Sequence, residues 1–192
     1  MNDLTEIKKD ATATFGFWVY LMSDLLLFAG LFSIYAVLAP NTFSGVGAKD
    51  IFSAPFALLE TVILLTSSFT TGITLLAARA GKRGWVVLLL LVTVGLGASF
   101  VTLEFHEFWS LIAAGHGPQQ SAFLSSYFTL VGTHGLHILI GLTWAIALIF
   151  VIARYGLTQP NMRKLALFSM FWHFLDIIWI FIFTIVYLLG LL

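Results

Sequence analysis

Five stretches, near residues 15–39, 55–78, 85–112, 122–153 and 167–191, are each predominantly apolar over at least the ~20 residues that a helix needs to cross a ~30 Å hydrocarbon core. In lipid every backbone N–H and C=O must be answered by the protein itself, which leaves helices or a closed barrel. Barrel strands would be about 10 residues long and would alternate apolar with polar. These runs do neither. The chain therefore reads as an all-α integral membrane protein of five transmembrane helices, preceded by a polar tail or short surface helix over residues 1–14. Composition agrees, since 60% of the 192 residues are hydrophobic and only 9% are charged, well outside the range of soluble domains. The first apolar run is too long for a signal peptide, so no cleavage is expected.

The net charge is zero, but its distribution is uneven. Lys8 and Lys9 precede the first span, Arg79, Lys82 and Arg83 join spans two and three, and Arg154, Arg163 and Lys164 join spans four and five. The other side has only Lys49. Because cytoplasmic loops accumulate Lys and Arg, the N-terminus is expected in the cytoplasm and the C-terminus in the periplasm. The chain has no cysteine, which excludes disulfides, iron–sulfur clusters and thiolate metal sites. No internal repeat or second domain is visible, and the broken helices that mark many transporters are absent.

Ionisable residues lie inside the apolar runs, where they are costly and are functional candidates by default. Asp24 falls near the middle of span one, so it is either protonated or paired with a neighbouring helix, and His173 with Asp176 on span five is the expected partner. Glu60 lies about one and a half turns into span two, after Ser53 and Pro55, which read as an N-cap and a first-turn proline. Glu104 and Glu107 share a face of span three, away from His106, and Ser121 reads as the N-cap of span four. His134 and His137 share a face there, flanked by Gly132, Gly135 and Gly141, which are expected to admit a neighbouring backbone. The segment 154–164 reads as a basic loop. The hydroxyl-rich run Thr66–Gly72 reads as a packing face. Ser67 and Thr71 within it, together with Trp18 and Trp172, are also candidates for lipid or partner contact.

Several chemistries could use these groups. A di-iron bundle would use Glu-x-x-His on two helices, a pattern that is absent here, so no metal site is expected. A haem would need facing axial histidines, and only His134 or His137 opposite His173 could supply them. A proton relay through Asp24, His134, His137, His173 and Asp176 stays open. So does a structural cluster of Asp24, His134 and Asp176, and so does a cleft lined by His, Glu and Arg that holds a phospholipid head group.

The segments Gly16-Phe-Trp-Val-Tyr-Leu-Met-Ser-Asp24, Pro55-Phe-Ala-Leu-Leu-Glu60-Thr, Glu104-Phe-His-Glu-Phe, Gly132-Thr-His-Gly-Leu-His137 and Phe171-Trp-His-Phe-Leu-Asp-Ile-Ile-Trp179 together resemble subunit III of the haem-copper terminal oxidases. Within that family the chain is most similar to the five-helix form of bacterial cytochrome bo-type ubiquinol oxidases. Related five-helix subunits of cytochrome c oxidases and of nitric-oxide-reductase clusters are the alternatives, and a free-standing membrane carrier or metal-dependent enzyme is a further one. The resemblance implies a non-catalytic subunit in the bacterial inner membrane, built as a two-part bundle with a V-shaped, lipid-filled cleft. It implies no cofactor in this chain, haems and copper in a partner catalytic subunit I, and further partners in subunit II and a small subunit IV. Bound phospholipid is expected and nucleic acid is not. The resemblance also implies a role in stability, proton uptake or oxygen access, with carboxyl-reagent sensitivity at the position of Asp24.

Overall fold

A computed structural model describes residues 2–42 and 47–191, with side chains placed outside residues 2–10, 49–50 and 191. Residues 43–46 of the expected turn-rich loop, Leu192, and the side chains of Lys8, Lys9 and Lys49 lie outside what it describes. The elements are α1 (Asn2–Leu38), a single turn α2 (Ala48–Ile51), α3 (Ala54–Arg79), α4 (Arg83–Ala113), α5 (Ala122–Tyr155) and α6 (Gln159–Ile182). The chain then tightens through a π-helical turn, Phe183–Leu188, and a 3₁₀ turn, Leu189–Leu191. Five segments are long and apolar enough to cross a membrane: Ala11–Leu38, Ala54–Arg79, Arg83–Ala113, Ala122–Tyr155 and Gln159–Leu188. There is no strand among the described residues.

The boundaries follow from local chemistry. Ser121 accepts the Leu124 N–H at 3.1 Å and caps α5 as its sequence position suggests. Ser53 stands at the N-cap position of α3, with proline in the first turn, but makes no side-chain cap bond. Gly81, with φ 71°, makes the tight turn that sets α4 beside α3, and Gly156, with φ 77°, ends α5. The Arg83 guanidinium donates to the Ala153 carbonyl and so ties the start of α4 to the end of α5. Two segments differ from their expected form. The first helix runs without a break from Asn2, and α6 begins at Gln159, inside the stretch expected as a loop. Pro160 is tolerated there because the first turn of a helix has no N–H to lose.

Helices α3, α4, α5 and α6 pack consecutively, and α6 returns to α3, closing a four-helix bundle. The first helix lies against α5, with a smaller contact to α6. The two parts are thus a closed bundle and one applied helix. The core between them is aromatic and aliphatic, with Phe28, Phe100, Leu130, Ile138, Phe168 and Leu175 fully buried. Lipid tails are as apolar as these side chains, so association depends on close packing and interhelical hydrogen bonds. The glycines supply the close packing in an unexpected way. They make room for side chains instead of a neighbouring backbone. A Cβ on Gly97 of α4 would stand 3.0 Å from the Trp172 ring, and one on Gly141 of α5 would stand 2.7 Å from it.

Candidate functional site

The buried polar residues fall into three sets stacked along the bundle. At mid-depth, His137 Nε2 of α5 stands 3.6 Å from Asp24 Oδ2 of α1, an ion-pair distance longer than a hydrogen bond. The other ring nitrogen, Nδ1, lies 2.8 Å from the Thr133 carbonyl. A carbonyl can only accept, so Nδ1 carries a proton and Nε2 faces the carboxyl. The ring thus turns its second nitrogen toward the Asp24 carboxyl, within ion-pair reach and beyond a direct hydrogen bond. Asp24 was expected to meet span five. The helix positions gave its depth, but α1 turns that face toward α5, and so His137 is the partner.

His134, one turn away, is fully buried among Phe28, Phe100 and Trp179. Its Nε2–H donates to the Leu175 carbonyl at 3.2 Å, and Nδ1 has no partner. On α6, His173 Nδ1 is 2.6 Å from Ser68 Oγ of α3, and Asp176 Oδ1 has no donor. Asp24, His134 and Asp176 thus make different contacts and do not form the single hydrogen-bonded cluster that was one expectation.

The second set joins three helices through hydroxyls. Trp172 Nε1 donates to Ser67 Oγ at 3.0 Å, and Ser67 Oγ reaches the Thr93 carbonyl at 3.4 Å. Thr70 and Thr71 of α3 meet the Thr93 hydroxyl at 2.9 Å and 3.4 Å. This corrects three assignments. Ser67, Thr71 and Trp172 are buried and face the interior, whereas lipid or partner contact needs an outer face. An indole in lipid needs an acceptor for its N–H, and the hydroxyl run of α3 is the nearest source. Trp18, by contrast, is 51% exposed on the outer face of α1.

The third set is acidic and lies toward the other end of the helices. Tyr187, in the π-helical turn, donates to Glu107 Oε2 at 2.8 Å, and Tyr127 donates in turn to Tyr187 Oη at 3.1 Å. Trp179 Nε1 donates to Thr61 Oγ1 at 3.0 Å, next to Glu60. Glu60 is fully buried with no hydrogen-bond partner on either oxygen, and Glu104 Oε1 is also without one. The Glu104 carboxyl occupies the space over Gly135, where a Cβ would come within 2.6 Å of Oε2. Glu104 and Gly135 also line a groove of about 210 Å³ between α4 and α5. Among the described residues no three His, Asp or Glu side chains come together to hold a metal ion. Tyr127, Tyr187, Thr61 and Trp179 were not singled out in the sequence. Their signal was a polar-tipped aromatic or hydroxyl within an apolar run, and three of the four, Thr61, Tyr127 and Tyr187, lie within about two turns of a run's end, where such residues are ordinary.

The sequence model of the family described as cytochrome c oxidase subunit III matches residues 5–191. The cytochrome bo(3) ubiquinol oxidase subunit 3 of Pseudomonas aeruginosa is 53% identical over 93% of this chain and 85% of its own length. The quinol oxidase subunit 3 of Bacillus subtilis is 41% identical over 92% of this chain and 86% of its own. A cytochrome c oxidase subunit 3 from a Bacillus species is 40% identical over 92% and 85%.

Proposed function

The chain belongs to the cytochrome c oxidase subunit III family, and we propose that it serves as subunit III of a bacterial haem-copper quinol oxidase. The observation that carries this reading is the 53% identity, over nearly the whole chain, to a subunit named for ubiquinol oxidation. In this reading the chain is a multi-pass, non-catalytic subunit of the inner membrane. Haems and copper belong to a partner catalytic subunit I, and a subunit II and small subunit IV complete the assembly. The basic residues of the α3–α4 turn and of the α5–α6 connection gather at the end of the bundle from which α1 starts. That end is assigned to the cytoplasm.

The work of the subunit in this reading is to hold the catalytic subunit in a durable state. The outer face of α1, with Trp18, Leu26 and Phe15 exposed, supplies partner or lipid contacts. Asp24 with His137 sets a carboxyl and an imidazole side by side at the junction of α1 and the bundle, where they can support proton uptake. Of the remaining buried groups, Glu60, Glu107, His134, His173 and Asp176 fix the helices in register or serve bound lipid.

Purification through a tag on this chain tests the reading. Haem-bearing partners should copurify and oxidise quinol. A reduced-minus-oxidised spectrum taken after the chain is stripped away should retain its haem signal per catalytic subunit. A haem signal lost in proportion to this chain, with the catalytic subunit still folded, contradicts it. The cytochrome c oxidase relative at 40% identity marks the electron donor as the point to assay, by supplying reduced cytochrome c and quinol side by side.

A further inference from the structure

We propose that the groove between α4 and α5 is a binding site for the head group of a quinol, with Glu104 accepting a hydrogen bond from its hydroxyl. The groove encloses about 210 Å³, and its walls include Phe105, Phe108, Leu136 and Leu139 over a floor of Gly132, Gly135 and Glu104. Phe105 and Leu136, 64% and 57% exposed, stand at its mouth, so it opens sideways from the bundle toward whatever surrounds the protein in the membrane. Its walls offer apolar and aromatic surface. Its floor offers one acceptor. Glu104 is 4% exposed, and its Oε1 has no donor anywhere among the described residues, a costly arrangement at this depth.

The occupant follows from that combination. Glu104 is nine residues before the end of α4 at Ala113, roughly 14 Å below it at 1.5 Å per residue. Phospholipid amines and phosphates stay at head-group level, and acyl chains bring no donor, so neither answers the carboxyl. A whole helix of a partner, ~10 Å across, does not fit in this volume. A quinol has hydroxyl donors on a flat apolar ring and an isoprenoid tail that can leave through the mouth into the bilayer. Aromatic walls with one convergent polar group are the usual form of a small-ligand site.

The proposal rests on the reading of the complex as a quinol oxidase. The purified complex in lipid nanodiscs is illuminated with a ubiquinol analogue carrying a diazirine on the first tail carbon, and adducts on this chain are mapped by mass spectrometry. Adducts are expected between residues 101 and 139, and excess ubiquinol should remove them while excess phosphatidylethanolamine should not. Leu136→Trp blocks the mouth from an exposed position without touching the buried carboxyl, and should lower labelling roughly tenfold, the loss of about 1.4 kcal/mol of binding. Glu104→Leu, which removes the acceptor, should lower it as well while the complex still assembles. A complex that oxidises quinol but carries no displaceable adduct here overturns the proposal and leaves the reading intact. Displacement by phospholipid, or a groove found filled by a partner side chain, also overturns it. A complex that does not oxidise quinol overturns both.

Discussion

Trp172 of α6 donates its indole N–H to Ser67 of α3 across 3.0 Å while its ring lies against Gly97 of α4 and Gly141 of α5. One side chain therefore touches all three other helices of the bundle, through a hydrogen bond on one edge and glycine surfaces around the ring. Its position fixes both the spacing and the rotation of those helices.

Ser67→Ala leaves the indole N–H buried without an acceptor. Interhelical hydrogen bonds in membrane proteins contribute ~0.6 kcal/mol on average and up to ~1.7 kcal/mol, and this one is fully buried, so a loss of about 1 kcal/mol is expected. Thermal inactivation of the purified complex measures it. In a cycle with Trp172→Phe, the double variant should cost less than the sum of the two single changes; strict additivity would mean that the bond contributes nothing.

Gly141→Ala should be far more damaging than Gly132→Ala. The added Cβ at 141 meets the rigid indole at 2.7 Å, whereas the nearest atom at 132 is 3.7 Å away. Overpacking of this kind costs about 1–3 kcal/mol, read as lost recovery of the chain in the assembled complex. Adding Trp172→Phe to Gly141→Ala should restore part of that recovery. Equal effects at both glycines would refute the packing argument.

Asp24→Asn can still donate to His137 Nε2, so the α1–α5 junction should survive and the complex should assemble. The pair then no longer has a titratable carboxyl, and activity should decay faster than in the parent during sustained turnover. Asp24→Leu removes both properties and should also weaken assembly. An Asn variant that matches the parent over many turnovers would reduce Asp24 to a packing residue.

Tyr187→Phe removes the donor to Glu107 and the acceptor for Tyr127 in one step. Leaving buried partners unmatched costs about 1–3 kcal/mol, detectable as a lower midpoint of thermal inactivation. Tyr155→Phe, at a residue 71% exposed, is the control and should change nothing.

A reporter fused after Leu192 should be active only outside the cytoplasm, and one placed in the α3–α4 turn only inside. The opposite pattern would overturn the orientation assigned from the basic residues.

The five crossings were legible because bilayer thickness is a fixed external ruler, and any apolar run of that length has few other uses. The Ser121 cap was legible because it depends on four consecutive residues, Ser121 to Leu124. Position along a helix could be read as well, since it is a residue count from a helix end. Azimuth could not. Asp24 was rightly placed in the middle of α1, but which neighbour it faces depends on how α1 is rotated against α5, and that is decided by packing over the whole helix. The destination of Trp172 had the same origin. Tryptophan in a membrane chain suits the interface, and only the paired glycines of α4 and α5, read together with Ser67, show that this one is held inside.

The bond between Tyr187 and Glu107 spans 80 residues of sequence, which turns a spatial contact into an order of events. Synthesis at 5–20 residues per second separates the two by roughly 4–16 s. Throughout that interval the acidic end of α4 is already made and lacks the Tyr187 donor. The interior is completed by residues from the last turns of the chain, so a product that ends shortly before residue 187 has nearly all of its apolar length and lacks the hydroxyl that donates to Glu107.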